Sequence, residues 1–140
     1  MLTLLASAAR TIDGTSVVTP PALHPEMMQS ARFVLDVTAA ATDAGDTLDV
    51  YVQQAYDGTN YDDVAHFTQV LGNGGTKKYL AEWFRGVTPE SEMHAPQDVA
   101  IAAGVVQGGK LQFPLRIKWV IVDAGADNAS FTFSVSGEFE

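Results

Sequence analysis

Leu111-Gln112-Phe113-Pro114-Leu115-Arg116-Ile117-Lys118-Trp119-Val120-Ile121 places an apolar residue at every second position. Side chains alternate across a strand, so Leu111, Phe113, Leu115, Ile117, Trp119 and Ile121 form one stripe against a core, while Arg116 and Lys118 point the other way. A run in the same period, Phe131, Phe133 and Val135, follows the turn-forming stretch Asp123-Ala124-Gly125-Ala126-Asp127-Asn128-Ala129. Together they predict a β-hairpin with one buried face, with Trp119 inside the stripe.

The same pattern extends toward the N-terminus. In Arg32 to Ala40, Phe33, Leu35 and Val37 share a face; a turn at Asp43-Ala44-Gly45-Asp46 leads to Leu48, Val50 and Val52, which alternate with Asp49, Tyr51 and Gln53. The turn Asp57-Gly58-Thr59-Asn60 and the run Tyr61 to Val70 predict a second hairpin. After Gly72-Asn73-Gly74-Gly75, the strand Lys77 to Arg85 is apolar on both faces, with Tyr79, Ala81 and Trp83 on one and Leu80 and Phe84 on the other. Two apolar faces imply a covering chain or flap. The polar, Pro-flanked stretch Gly86 to Gln97 reads as a loop long enough for a function or an interface, and Val99 to Val106 reads as a strand. Eight or nine strands with turn signals every 8–12 residues, and no helical periodicity, predict an all-β, antiparallel, jelly-roll-like sandwich. The turns Thr42 to Asp46 and Val122 to Asp127 echo one another, which reads as repeated turn chemistry and not duplication.

Residues 1–30 differ from the sandwich domain expected over 31–140. Leu2 to Thr11 reads as a short strand, but Pro20, Pro21 and Pro25 and sparse alternation suggest an extended arm or edge segment. Leu2 to Ala9 lacks the basic and apolar regions of a leader, and no apolar run approaches the roughly 20 residues of a membrane span. A chain of 140 residues suits one domain. Cysteine is absent, so disulfides and thiolate metal sites are excluded. Seventeen acidic against eight basic residues give a formal charge of −9, which repels nucleic acid.

Residues that could carry chemistry all have a simpler reading. Asp57, Asn60, Asp62 and Asp63 could offer oxygens to Ca²⁺, but Asp, Asn and Gly are also what tight turns need, and the spacing is not that of an EF-hand, so the turn reading is favoured. His24, His66 and His94 are never two or four residues apart, so each reads as a satisfied core or surface histidine. Neither a nucleophile motif nor a glycine-rich phosphate loop is present. Glu82, Glu90, Glu92 and Asp98 read as solvated surface. Tyr51 is the ring most exposed by pattern, short of a sugar-stacking platform. The chain therefore reads as a non-enzyme that needs no cofactor or metal.

Leu35-Asp36-Val37-Thr38-Ala39-Ala40, Leu48-Asp49-Val50-Tyr51-Val52-Gln53, Asp63-Val64-Ala65-His66-Phe67-Thr68-Gln69 and Asp123-Ala124-Gly125 through Phe133 resemble small β-sandwich proteins encoded among the virion structural genes of tailed bacteriophages. The resemblance spans about residues 31–135 and is architectural. It implies a capsid decoration or cementing protein on the outside of the head shell, made in the host cytoplasm, or as a close variant a neck or tail accessory protein. The implied partners are the major capsid protein, other virion proteins and copies of the chain itself, a trimer being favoured, with no direct contact to nucleic acid or membrane. A glycan-binding module is the competing class. The contact residues expected from the sequence pattern are Tyr79, Trp83 and Phe84 on the two-faced strand, Met93 and His94 in the long loop, and Pro20 and Pro21 in the arm.

Overall fold

The computed structural model describes residues 1–20, 24–86, 101–125 and 127–140. Among these, ten strands form: β1 (Leu2–Arg10), β2 (Gly14–Val18), β3 (Ser30–Ala39), β4 (Thr47–Ala55), β5 (Tyr61–His66), β6 (Val70–Leu71), β7 (Lys77–Phe84), β8 (Val105–Val106), β9 (Leu115–Val122) and β10 (Phe131–Phe139). A single 3-10 turn sits at Pro25–Met27. One sheet has the order β1-β10-β3-β7 and the other β2-β9-β4-β5-β8, with β6 paired to β4, all antiparallel. With the two-residue strands β6 and β8 set aside, four strands stand in each sheet, and every connection except β4–β5 changes sheet. That winding makes the all-β sandwich a jelly roll.

The core lies between the sheets. Phe33, Leu35 and Val37 of β3, Phe131, Phe133 and Val135 of β10, and Trp83 of β7 meet Leu48, Val50 and Val52 of β4, Val64 of β5, and Leu115 and Ile117 of β9, all buried. The period-2 stripes seen in the sequence thus face inward as expected.

The strands β9 and β10 do not form the expected hairpin. β9 lies between β2 and β4, while β10 lies between β1 and β3 in the opposite sheet. Both stripes point to the same core because the sheets face each other, and residues 123–129 carry the chain across the sandwich instead of closing a turn. The turn expected at Asp43–Asp46 is present, with the Asp46 amide donating to the Asp43 carbonyl at 3.1 Å, and it carries the chain across from β3 to β4. The two echoing segments pack together. The Ala124 amide donates to Asp46 Oδ1 at 2.9 Å, the Gly72 amide donates to the Asp46 carbonyl at 2.8 Å, and Gly125 lies so close to the Asp43 carboxylate that a Cβ would overlap it.

Other strand expectations are refined. The run Tyr61 to Val70 is β5 and β6 laid along β4, interrupted at Phe67–Gln69, where the Phe67 amide still reaches the Val50 carbonyl at 3.0 Å. Of Val99 to Val106, residues 99–100 lie outside the described residues and only Val105–Val106 is strand. Leu111 is buried ahead of β9, which starts at Leu115 after a cis Phe113–Pro114 peptide.

For residues 1–30, open between arm and edge segment, the structure shows edge strands up to Val18: β1 pairs with β10 and β2 with β9, and Leu4 and Leu5 enter the core. Trp119 is only half-buried, because its end of β9 lies at the rim beside β2. Its indole donates to the Ile12 carbonyl at 2.9 Å and packs against Gly14, where a Cβ would strike the ring. The Arg10 guanidinium lies 4.9 Å from the Trp119 ring and 4.6 Å from that of Phe133.

Candidate functional site

The outer face of β4, β5 and β9 holds a buried polar network. Alternation along β4 turns Asp49, Tyr51 and Gln53 away from the core, and the register sets Tyr51 opposite His66 and Lys118, and Gln53 opposite Asp63 and Arg116. His66 Nε2 lies 2.8 Å from Asp49 Oδ1 and Nδ1 lies 2.7 Å from the Ile101 carbonyl; the ring stacks on Tyr51 at 4.0 Å. Gln69 donates to Asp49 Oδ2 at 2.8 Å. Gln53 donates to Asp63 Oδ1 at 2.7 Å and accepts from Arg116 Nε at 2.8 Å, while the Ile101 amide donates to Asp63 Oδ2 at 3.2 Å. The Arg116 guanidinium lies 4.0 Å over the Tyr61 ring.

The Ile101 carbonyl accepts and Asp49 accepts when ionised, so these two partners favour a ring that donates from both nitrogens, the imidazolium. Burial opposes that charge, but the hydrogen bonds that the ring donates to Asp49 and to the Ile101 carbonyl, with the nearby carboxylates, outweigh it and raise the His66 pKa. Burial likewise opposes the Asp49 carboxylate, yet His66 and Gln69 together lower its pKa. Burial, with the charges of Asp49 and Asp63, pushes the Tyr51 phenol up. Chemically this network is a latch. Asp63 and His66 hold both backbone groups of Ile101, and the Gly104 and Gln107 amides then bond the His66 and Val64 carbonyls at 2.8 Å, laying β8 along β5. Neither His66 nitrogen is left to take a proton from a substrate. The latch also covers Tyr51, which is 8% exposed and so is not the open ring its alternation with Asp49 and Gln53 suggested.

Asp57 behaves as a turn residue. Its Oδ1 accepts from the Thr59 amide at 2.8 Å and the Asn60 amide at 2.6 Å, and its Oδ2 from the Asn60 side chain at 2.7 Å. These bonds, led by the Asn60 amide, lower its pKa. Asp62 and Asp63 sit on β5 and are buried, away from that turn's tip. Among the described residues, no group of three or more His, Asp or Glu is placed to hold a metal.

The expected contact residues separate. Tyr79, Trp83 and Phe84 lie on β7, the edge strand of its sheet. Phe84 is 49% exposed, and Leu80, on the same outward face, 57%. Trp83 is wholly buried between the sheets, so it is a core residue and no contact surface; its indole N–H has no hydrogen-bond partner among the described residues. Tyr79 is half-buried against the core. Pro20 is buried, while Pro21, Met93 and His94 lie outside the described residues. Arg85, just past β7, donates to the Met28 carbonyl at 2.6 Å and the Pro25 carbonyl at 2.7 Å, fixing the 3-10 turn to the end of this edge. The sequence pattern found β7 through its two apolar faces; it missed the His66 latch because no spacing links Asp49, Asp63, His66 and Ile101.

Compared with family models, curated proteins and solved structures, the chain matches none.

Proposed function

We propose that this chain is a bacteriophage virion structural protein, a decoration or cementing protein bound to the outside of the head shell. The observation that carries the reading is the jelly-roll winding, an architecture used by viral capsid domains. It is a fold analogy, joined to the sequence resemblance, so attachment itself has to be measured. A formal charge of −9 suits an outer position, away from packaged DNA. The partners are then the major capsid protein and further copies of the chain, and binding rests on modest contacts summed over many copies.

Lectins also use jelly rolls, which keeps a glycan-binding module as the alternative. Tyr51, the ring on which that alternative leaned, is stacked under His66. The test is co-sedimentation with shells assembled from the major capsid protein encoded in the same genome. Pelleting that saturates with shell number is expected. Protein that stays in the supernatant at every shell concentration refutes the head position; pelleting with isolated tails instead would assign the neck or tail variant.

A further inference from the structure

The four lateral edges of the sandwich are unequal. The β1 edge is broken by register shifts between Thr3 and Leu5 and between Leu5 and Ala8, β2 has five residues, and β8 has two. The fourth edge, β7, has eight residues in unbroken register with β3, from Lys77 opposite Val37 to Phe84 opposite Ser30. Natural proteins blunt edges by shortness, bulges and charge, and a long regular edge is a template for another strand.

The Arg85 amide bonds the Gln29 carbonyl, which places odd-numbered residues of β7 in hydrogen-bonded pairs with β3. The N–H and C=O groups of Lys78, Leu80 and Glu82 therefore face away from β3. Among the described residues none of these groups has another backbone partner, and only the Phe84 carbonyl, at the strand's end, accepts from Gly109, at 3.5 Å.

The charges on that edge are self-complementary. An antiparallel copy of β7 whose two-fold axis passes through Leu80 sets Leu80 against Leu80 and each Lys78 against Glu82 of the other copy. Shifting the axis to Lys78 or Glu82 sets like charges opposite each other. Shifting it to Tyr79 or Ala81 sets a charge against Leu80: Lys78 faces Leu80 in the first case and Glu82 in the second. Lys78 already pairs with Asp36 on β3 at 3.2 Å, and Glu82 with Arg32 at 2.9 Å. The two-fold register extends these pairs into a row of alternating sign, Asp36, Lys78, then Glu82 and Arg32 of the second copy. Charges that repel a random strand thus select one partner.

We propose that β7 pairs with β7 of a second copy of this chain about a two-fold axis at Leu80, joining two four-stranded sheets into one of eight strands. This contact closes a dimer, in place of the trimer implied by the resemblance, and does not depend on the virion reading. Light scattering on a size-exclusion column, run over a range of concentrations, tests it with charge variants. Wild type should be dimeric. Lys78→Glu and Glu82→Lys should each weaken self-association by roughly tenfold or more, since both turn two attractive cross-strand pairs repulsive. Mixing the two variants should restore a one-to-one heterodimer, because every facing pair is then opposite in charge; that rescue also proves both variants folded. Leu80→Pro, which removes an N–H that β3 does not use, should be monomeric with an unchanged circular dichroism spectrum. A wild-type monomer or trimer, a dimer indifferent to both charge variants, or a mixture that fails to pair would each overturn the proposal.

Discussion

His66 is held between a carboxylate and a carbonyl that both demand its protons, and this fixes how stability depends on pH. Its native pKa lies above the ordinary histidine value of about 6.5. The latch therefore contributes fully below that ordinary value and is lost as pH rises through the raised native one. Asp49 acts at the other end: its pKa is lowered, so its contribution is present above the ordinary carboxylate range and is lost as pH falls through the depressed value. His66→Gln should cost roughly 2–3 kcal/mol in mild acid, the loss of charge-assisted bonds at a buried site. The melting-temperature gap between wild type and variant should narrow as pH rises from below the ordinary histidine value through the raised native one; a gap constant with pH would contradict a charged His66. A second residue-scale prediction concerns Gly14, which leaves no room for a side chain beside Trp119. Gly14→Ala should displace the indole and cost about 1–3 kcal/mol, read as a lower melting point together with a changed near-ultraviolet signal.

At the scale of strands, β1 and β2 are bound into the sandwich. Leu4 and Leu5 are core residues, and removing β1 and β2 would bare the edges of β10 and β9. Deleting residues 1–18 should abolish the cooperative thermal transition; a truncated chain that still melts cooperatively would show the two strands dispensable. This reverses what a free arm would predict. Period-2 alternation in β3, β4, β9 and β10 was legible in the sequence, since each strand has to bury one face. Which sheet each strand joins was not, because stripes on facing sheets point at the same core and look identical whether neighbours pair or cross. Asp123–Ala129 reads as a hairpin turn for that reason, though it spans the sandwich. The burial of Tyr51 and of Gln53 was hidden by the same locality: on their face of β4, His66 stacks on Tyr51, and Asp63 and Arg116 bond Gln53, from strands that the alternation of β4 alone does not bring together. β7 was legible through Leu80 and Phe84, whereas Trp83, read with it as a contact, proved to be its anchor in the core.

For the whole molecule, the two proposals meet in avidity. A two-fold dimer presents its shell-facing surface twice, so two modest attachments act together. Lys78→Glu, which leaves the rest of the sandwich intact, should therefore weaken binding to capsid shells by roughly a hundredfold or more, measured by co-sedimentation titration. Equal affinity of the variant and wild type would mean that attachment uses single copies. Its acidity also predicts that the protein leaves the mobility of duplex DNA unchanged in a gel at about 0.1 M salt.

The pairing of β1 with β10, which puts Leu2 beside Gly137, carries a kinetic consequence. β10 is made more than a hundred residues after β1, so this sheet cannot close during synthesis until β10 has emerged. Until then the nascent chain displays apolar stripes with nothing opposite them, and completing the sheet means joining segments over a hundred residues apart. Folding should accordingly take milliseconds to seconds, as for other chains dominated by distant pairings, and early β-strands should lean on chaperones while they wait.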